Sequence, residues 1–263
     1  MKIRYNLTIW LFSLRSCTGN PPTSRGYEAA KELYEQKLQN PIGGIAALND
    51  ELSNIFENQR QRIAKCLDLP PGSEVILCPS GSDAEYIPVA IAQCLHPDKA
   101  ISNGISQLNE IGAGSAPASV GKFFSTHAPF LGEISSDTDL NGLDGFENVE
   151  GIAVCARNTD GSVVDVSSQM SSFRKKELAA GRFPILHGVF GGKTGVRDEI
   201  MPGSDDAGDT TLGVVDACQG RFTAEEMKSW LDQDSLVLFT ASKFYQVRYY
   251  EKTFLIFPYE LYF

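Results

Sequence analysis

Residues 212–243 read LGVVDACQGRFTAEEMKSWLDQDSLVLFTASK. Leu212–Val215 is a short apolar run of the kind a fully buried strand needs. Asp216 and Gln219 follow at its carboxyl end. Thr223–Gln233 has helical character, and Thr223 followed three residues later by Glu226 is a capping box. Leu236–Phe239 is a second buried run, closed by Thr240-Ala-Ser-Lys243. Two strands joined by a helix predict a parallel pair. A carboxylate, an amide, a hydroxyl and an amine thus come to one edge of a parallel sheet, the edge where open α/β sheets bind ligands.

The pattern repeats upstream. Glu74–Cys78 is a short apolar strand, followed by Pro79-Ser-Gly-Ser-Asp-Ala-Glu85 and an apolar helix over Tyr86–Leu95. A strand, a Gly/Ser turn and a helix start leave backbone N–H groups free for an anion. Ser82 or Asp83 also suits a helix cap.

These groups suit pyridoxal 5'-phosphate, which needs a lysine amine, a carboxylate at its ring nitrogen and donors for its phosphate. Asp-x-x-Gln, then Thr-x-x-Lys with the lysine 24 residues after the glutamine, resembles the fold-type-I pyridoxal-phosphate-dependent enzymes. That superfamily includes the aspartate aminotransferase and class-V aminotransferase/cysteine-desulfurase families. The resemblance implies that Lys243 forms a Schiff base with the cofactor and then acts as general base. It implies that Asp216 pairs with the pyridine nitrogen, Gln219 with the ring oxygen, and Thr240 with the phosphate. Gly81-Ser82-Asp83-Ala84-Glu85 looks like the family's phosphate-binding run, with Gly81, Ser82 and Asp83 as its contacts. The fold implied is a three-layer α/β/α large domain around a mostly parallel sheet. The activity implied is a transferase or lyase acting on an amino acid or amine, in a homodimer.

The likeness spans roughly residues 70–246. Residues 1–69 read as a helical segment packing on that core, with helices over Gly26–Gln39 and Ala47–Leu67. Residues 247–263 are an atypical aromatic tail, in which Thr253–Phe257 has the apolar character of one more strand. The family is normally longer and carries a C-terminal small domain with an arginine for the substrate carboxylate. That domain is missing here. The alternative expectation is therefore a truncated, non-catalytic homologue that serves as a partner subunit. The family's ring-stacking aromatic also has no counterpart. Glu110 and Ile111 stand in that region.

Other motifs are weaker. Gly112-x-Gly114 lacks the third glycine and the apolar strand of a dinucleotide loop, since Ala100–Ser102 begins only a weak strand. Gly192-Lys193-Thr194 ends like a phosphate-binding P-loop, but His187 stands where the first glycine belongs, and no helix start follows. Val149–Cys155 reads as a buried strand, Ser167–Ala180 as a helix, and Phe183–His187 as another strand. The long loop over Phe123–Gly145 holds His127, with no base partner in view.

The 263 residues carry 42% hydrophobic residues, 21% charged ones and a net charge of −10. That balance describes a globular chain and argues against nucleic acid or an anionic membrane as partner. No run is long enough for a membrane span, and the MKIRYNLTIWLFSL start is too interrupted for a signal peptide. A cytoplasmic location follows. Six cysteines without a C-x-x-C pair read as reduced, buried thiols, and the three histidines lack metal-ligand spacing, so no metal site is expected.

Overall fold

The computed structural model describes residues 23–39, 44–128, 132–135, 138–140, 149–197, 210–240 and 253–257. Lys243 lies outside the described residues. The apolar runs are strands: β1 (Glu74–Cys78), β6 (Phe183–Val189), β7 (Leu212–Asp216) and β8 (Leu236–Thr240). Every residue of β6, β7 and β8 is buried, as strands covered on both faces must be. With β2 (Ile101–Ile105), β5 (Glu150–Ala153) and β9 (Thr253–Phe257) they form one sheet in the order β1-β9-β8-β7-β6-β2-β5. From β8 to β5 all neighbours are parallel. β9 alone runs against its neighbours, between β8 and β1. A separate two-stranded ribbon pairs β3 (His127–Ala128) with β4 (Gly132–Glu133).

The helices are α1 (Ser24–Leu33, continued by a π-helical turn over Tyr34–Leu38), α2 (Gly44–Cys66), α3 (Gly81–Ala84), α4 (Tyr86–Leu95), α5 (Ser115–Ser119), α6 (Val166–Ala179) and α7 (Ala224–Leu231). Strand side chains alternate between faces, and the core divides accordingly. Val214, Leu236 and Leu238 meet Val89, Ile91 and Ala92 of α4. Val215, Val237 and Phe239 meet Met227, Trp230 and Leu231 of α7, with Ile63 from the end of α2. Leu186 meets Met170 and Phe173 of α6. The result is the expected three-layer α/β/α architecture around a mostly parallel sheet. At α7 the capping box is present: Thr223 Oγ1 accepts from Glu226 N at 3.1 Å, and the Glu226 carboxylate accepts from Thr223 N at 2.7 Å.

Several local expectations are corrected. Ala100–Ser102 was too weak a signal for what is a central strand, since all five residues of β2 (ISNGI) are buried. Some of its polar groups meet neighbours: Asn103 Nδ2 donates to Ser119 O at 2.9 Å, and Val189 N donates to Ser106 Oγ, just past the strand, at 3.0 Å, while Ser102 Oγ and Asn103 Oδ1 have no hydrogen-bond partner. Hydrogen bonding offsets part of the cost of that burial. Conversely, the strand expected to be buried over Val149–Cys155 is the edge strand β5, with Glu150–Ala153 exposed and only Val149 and Val154 turned inward. Among the described residues the buried-thiol expectation holds for Cys78 alone. Cys66, Cys94 and Cys155 are exposed and Cys218 is partly so. Along α1, Tyr27 and Tyr34 are about half exposed, and α1 buries no residue. No helix among the described residues is long and apolar enough to cross a membrane.

Gly104 lies under α6. A Cβ there would stand 2.8 Å from two ring carbons of Phe173 and 3.1 Å from Met170 Cε. Gly104→Ala should therefore destabilise the chain by about 1–3 kcal/mol, the usual cost of overpacking. A urea-unfolding midpoint unchanged from the parent would contradict this packing.

Candidate functional site

Parallel pairing brings the ends of β2, β6, β7 and β8 to one edge. Asp216 is the last residue of β7, in register with Val189 of β6 and Leu238 of β8. It is buried, and its Oδ1 accepts the backbone N–H of Cys218 at 2.8 Å. Gln219 is also buried, and its Nε2 has no hydrogen-bond partner. A buried amide N–H without an acceptor is costly, so this atom marks a place where an acceptor is wanted. Thr240, the last residue of β8, is buried at the same edge.

The Gly81–Ala84 turn lies against β8 and β9. It is a helical turn, and its cap is Ser80 rather than Ser82 or Asp83. Asp83 N donates to Ser80 Oγ at 3.2 Å, and Ser80 Oγ donates to Asp83 Oδ2 at 2.5 Å. Ser82 is half-buried beside Gly114, where a Cβ would come within 2.6 Å of Ser82 Oγ. Gly114 therefore serves close packing between two loops of the edge, which accounts for the Gly112-x-Gly114 pattern without a dinucleotide.

Beyond β6 lies the Gly192-Lys193-Thr194 loop. Thr194 donates twice to the Glu110 carboxylate, from N at 2.6 Å and from Oγ1 at 2.7 Å. Lys193 N donates to Glu110 O at 3.2 Å, and Lys193 Nζ donates to Ile111 O. A phosphate cradle needs these donors free, and Glu110 already engages them. Glu110 is thus a latch between the β2 and β6 loops, while Ile111 is buried with Ile105 and Val189. His127 is exposed on the ribbon, its Nδ1 3.2 Å from Thr126 Oγ1.

Two ionisable residues of the site carried no sequence motif. Glu85 follows α3, and His187 lies within β6. His187 Nδ1 is 3.3 Å from Glu85 Oε2, and His187 Nε2 is 3.9 Å from Asp216 Oδ2. Neither ring nitrogen has an aligned hydrogen bond. One ligand-type atom from each of Glu85, His187 and Asp216 lies within 4.8 Å of the others. Spacing between His and Cys residues could not reveal this group, because its members come from three separate elements of the sheet and its helices. The available signal was chemical: a histidine inside the apolar run PILHGV, and a glutamate opening the apolar helix YIPVAIA. Burial, and then the charge of Asp216, hold the Glu85 carboxyl well above its usual range, while a Ser115 hydrogen bond works the other way. Burial holds His187 below its ordinary value, against the pull of Asp216.

No protein-family model matches the chain, and no curated protein does. Solved structures resemble it in fold. Rhodiola rosea 4-hydroxyphenylacetaldehyde synthase aligns with a TM-score of 0.59 at 14% identity, over 98% of this chain and 57% of its own. Oryza sativa TDC, solved with PLP and tryptamine, gives 0.59 at 12% identity, over 99% and 59%. The glutamate decarboxylase domain of a Vibrio parahaemolyticus diaminobutyrate-pyruvate transaminase and L-2,4-diaminobutyrate decarboxylase gives 0.52 at 12% identity, over 90% and 50%. The chain spans about half the length of these structures.

Two outcomes follow from the site. Glu110→Ala removes a carboxylate that accepts two hydrogen bonds, and should lower stability by about 1.5–3 kcal/mol in urea unfolding. The second concerns pH. The folded chain keeps the Glu85 proton at a pH where the unfolded chain has lost it. Its contribution is whole below an unfolded value of about 4.3 and drains away as pH rises toward the folded value. His187 has the opposite sign and weighs against folding as pH falls through about 6.5. Glu85→Gln should thus match the parent near pH 4 and exceed it by about 1–3 kcal/mol at pH 8, where His187 is neutral in both states.

Proposed function

We propose that this edge binds pyridoxal 5'-phosphate and that the chain is the cofactor-binding part of an enzyme acting on an amino acid. A lyase reaction, decarboxylation, is favoured over transfer. The observation that carries the reading is Asp216: a buried carboxylate at the end of a central parallel strand, three residues before a buried amide donor with no partner. A cationic ring nitrogen and a ring oxygen are the groups that such a pair lacks. The fold supports the same reading, since Oryza sativa TDC holds PLP with a small amine. The glutamate decarboxylase domain from Vibrio parahaemolyticus favours the lyase class.

When bound, the cofactor supplies an electron sink for the bond broken at the substrate α-carbon. The chain's own groups do the rest. Asp216 holds a proton on the ring nitrogen through its negative charge. Gln219 Nε2 donates to the ring oxygen. Gly81 and Ser82 offer backbone N–H groups, and Ser82 and Thr240 hydroxyls, to the phosphate. Asp83 steadies that turn through Ser80. Lys243, three residues beyond Thr240, would be the amine that holds the cofactor, and it would hold the proton delivered to the α-carbon after carbon dioxide leaves. The partners in this reading are a small amino substrate and a second copy of the chain, with the cytoplasm as its location.

The test is direct. Pyridoxal phosphate is added to the purified chain, reduced with borohydride, and the label mapped. The label should fall on Lys243 and vanish in Lys243→Ala. A label on Lys193 instead would overturn the assignment. Asp216→Asn should weaken cofactor binding by about tenfold or more. Release of carbon dioxide from a panel of amino acids then separates an active lyase from a chain that binds cofactor without turnover, the behaviour of a non-catalytic partner subunit.

A further inference from the structure

Two carboxyl groups and an imidazole sit together in the interior with no cation among the described residues to balance them. Glu85, His187 and Asp216 are 1%, 0% and 3% exposed. Among the described residues, neither carboxyl pairs with a lysine or arginine. Carboxylates this close in a low-dielectric interior do not both ionise unless a proton sits between them. A proton therefore stays on one carboxyl, or the imidazole takes it. In either case the three groups together carry one negative charge.

Their partners decide where that charge sits. A buried imidazolium needs acceptors in line with its N–H groups, and neither nitrogen of His187 has one. Asp216 Oδ1 receives a fixed backbone N–H from Cys218 at 2.8 Å. Glu85 Oε2 has no hydrogen-bond partner. A buried anion is sustained where an N–H donor meets it and costs most where none does.

We propose that Glu85 keeps its proton in the folded chain and acts as a positioning residue for Asp216, leaving Asp216 the sole anion of the cluster, so that the edge takes a singly charged ring cation and does not hold a divalent metal ion. This rests on the cofactor reading above. The competing occupant is specific: one histidine nitrogen and two carboxylates are three ligands of a Zn²⁺ site, and their spacing permits one. That occupant requires Glu85 ionised. The two possibilities differ by one proton on one residue. Burial and the nearby Asp216 charge favour keeping it and outweigh the opposing hydrogen bond from Ser115.

The experiment is an infrared spectrum of the cofactor-free chain at neutral pH, compared with Glu85→Gln. The parent should show the C=O stretch of a buried protonated carboxyl, and the variant should lack it. A side-chain amide is the neutral counterpart of a protonated carboxyl. Glu85→Gln should therefore lose less pyridoxal phosphate affinity than Asp216→Asn, which loses about tenfold or more. Zn²⁺ should leave the parent's Tm unchanged. The proposal is overturned if the parent lacks the band, if Glu85→Gln weakens cofactor binding about tenfold, or if Zn²⁺ raises the parent's Tm but not the variant's. Should Glu85→Gln fail to fold, Glu85→Met serves for the spectrum, and the parent's Zn²⁺ response still decides. A parent that shows the band but binds no pyridoxal phosphate would leave the charge assignment standing and remove the cofactor reading.

Discussion

In-register parallel pairing across β2, β6, β7 and β8 sets His187 beside Val214, Val189 beside Asp216, and Asp216 beside Leu238. Parallel strands share a direction, so their carboxyl ends share an edge. Each loop that leaves this edge then has neighbours it could not have had along the chain. The loop after β2 brings Glu110 to Thr194 of the loop after β6. The turn after β1 brings Ser82 to Gly114, and Glu85 to His187. If that pairing were lost, every contact of the site would be lost with it.

The same constraint makes the site polar in a place that resists polarity. Strands buried on both faces leave no solvent for groups that turn inward near their ends. Some of these groups are satisfied locally, as Asn103 Nδ2 is by Ser119 O. Others are not: Gln219 Nε2, Glu85 Oε2 and both nitrogens of His187 have no hydrogen-bond partner. Buried atoms without a hydrogen-bond partner occur elsewhere too, as at Ser102 Oγ and Glu177 Oε2, but Glu85, His187 and Asp216 stand within reach of one another, and that grouping marks a place able to receive a ligand. Its sign is negative at Asp216 and neutral at Glu85, which is the balance a ring cation requires.

The elements that were legible along the chain were those whose residue pattern carries its own physics. The apolar runs at Glu74–Cys78, Leu212–Val215 and Leu236–Phe239 could be little else than strands, and the last two are buried throughout. Thr223 and Glu226 announced a helix start that the structure contains. The run at Thr253–Phe257 did become a strand. What misled was composition without context. ISNGI is too polar to announce a central strand, and its burial depends on Ser119 and on Phe173 of α6. VEGIAVC is apolar enough for the interior, yet it lies at the sheet edge, with no further strand beside it among the described residues.

The α/β class, the strand ends near Asp216, Gln219 and Thr240, and the order in which they and Lys243 follow are legible along the chain. Hydrophobic period, capping and turn chemistry are short-range properties, and a linear reading captures them. Three-dimensional packing alone brings Glu85 and His187 to Asp216, sets Glu110 in the Lys193-Thr194 loop, and covers ISNGI while leaving VEGIAVC at the edge. Those outcomes depend on which strand lies beside which, and sheet order is set by the packing of the whole chain rather than by any segment of it.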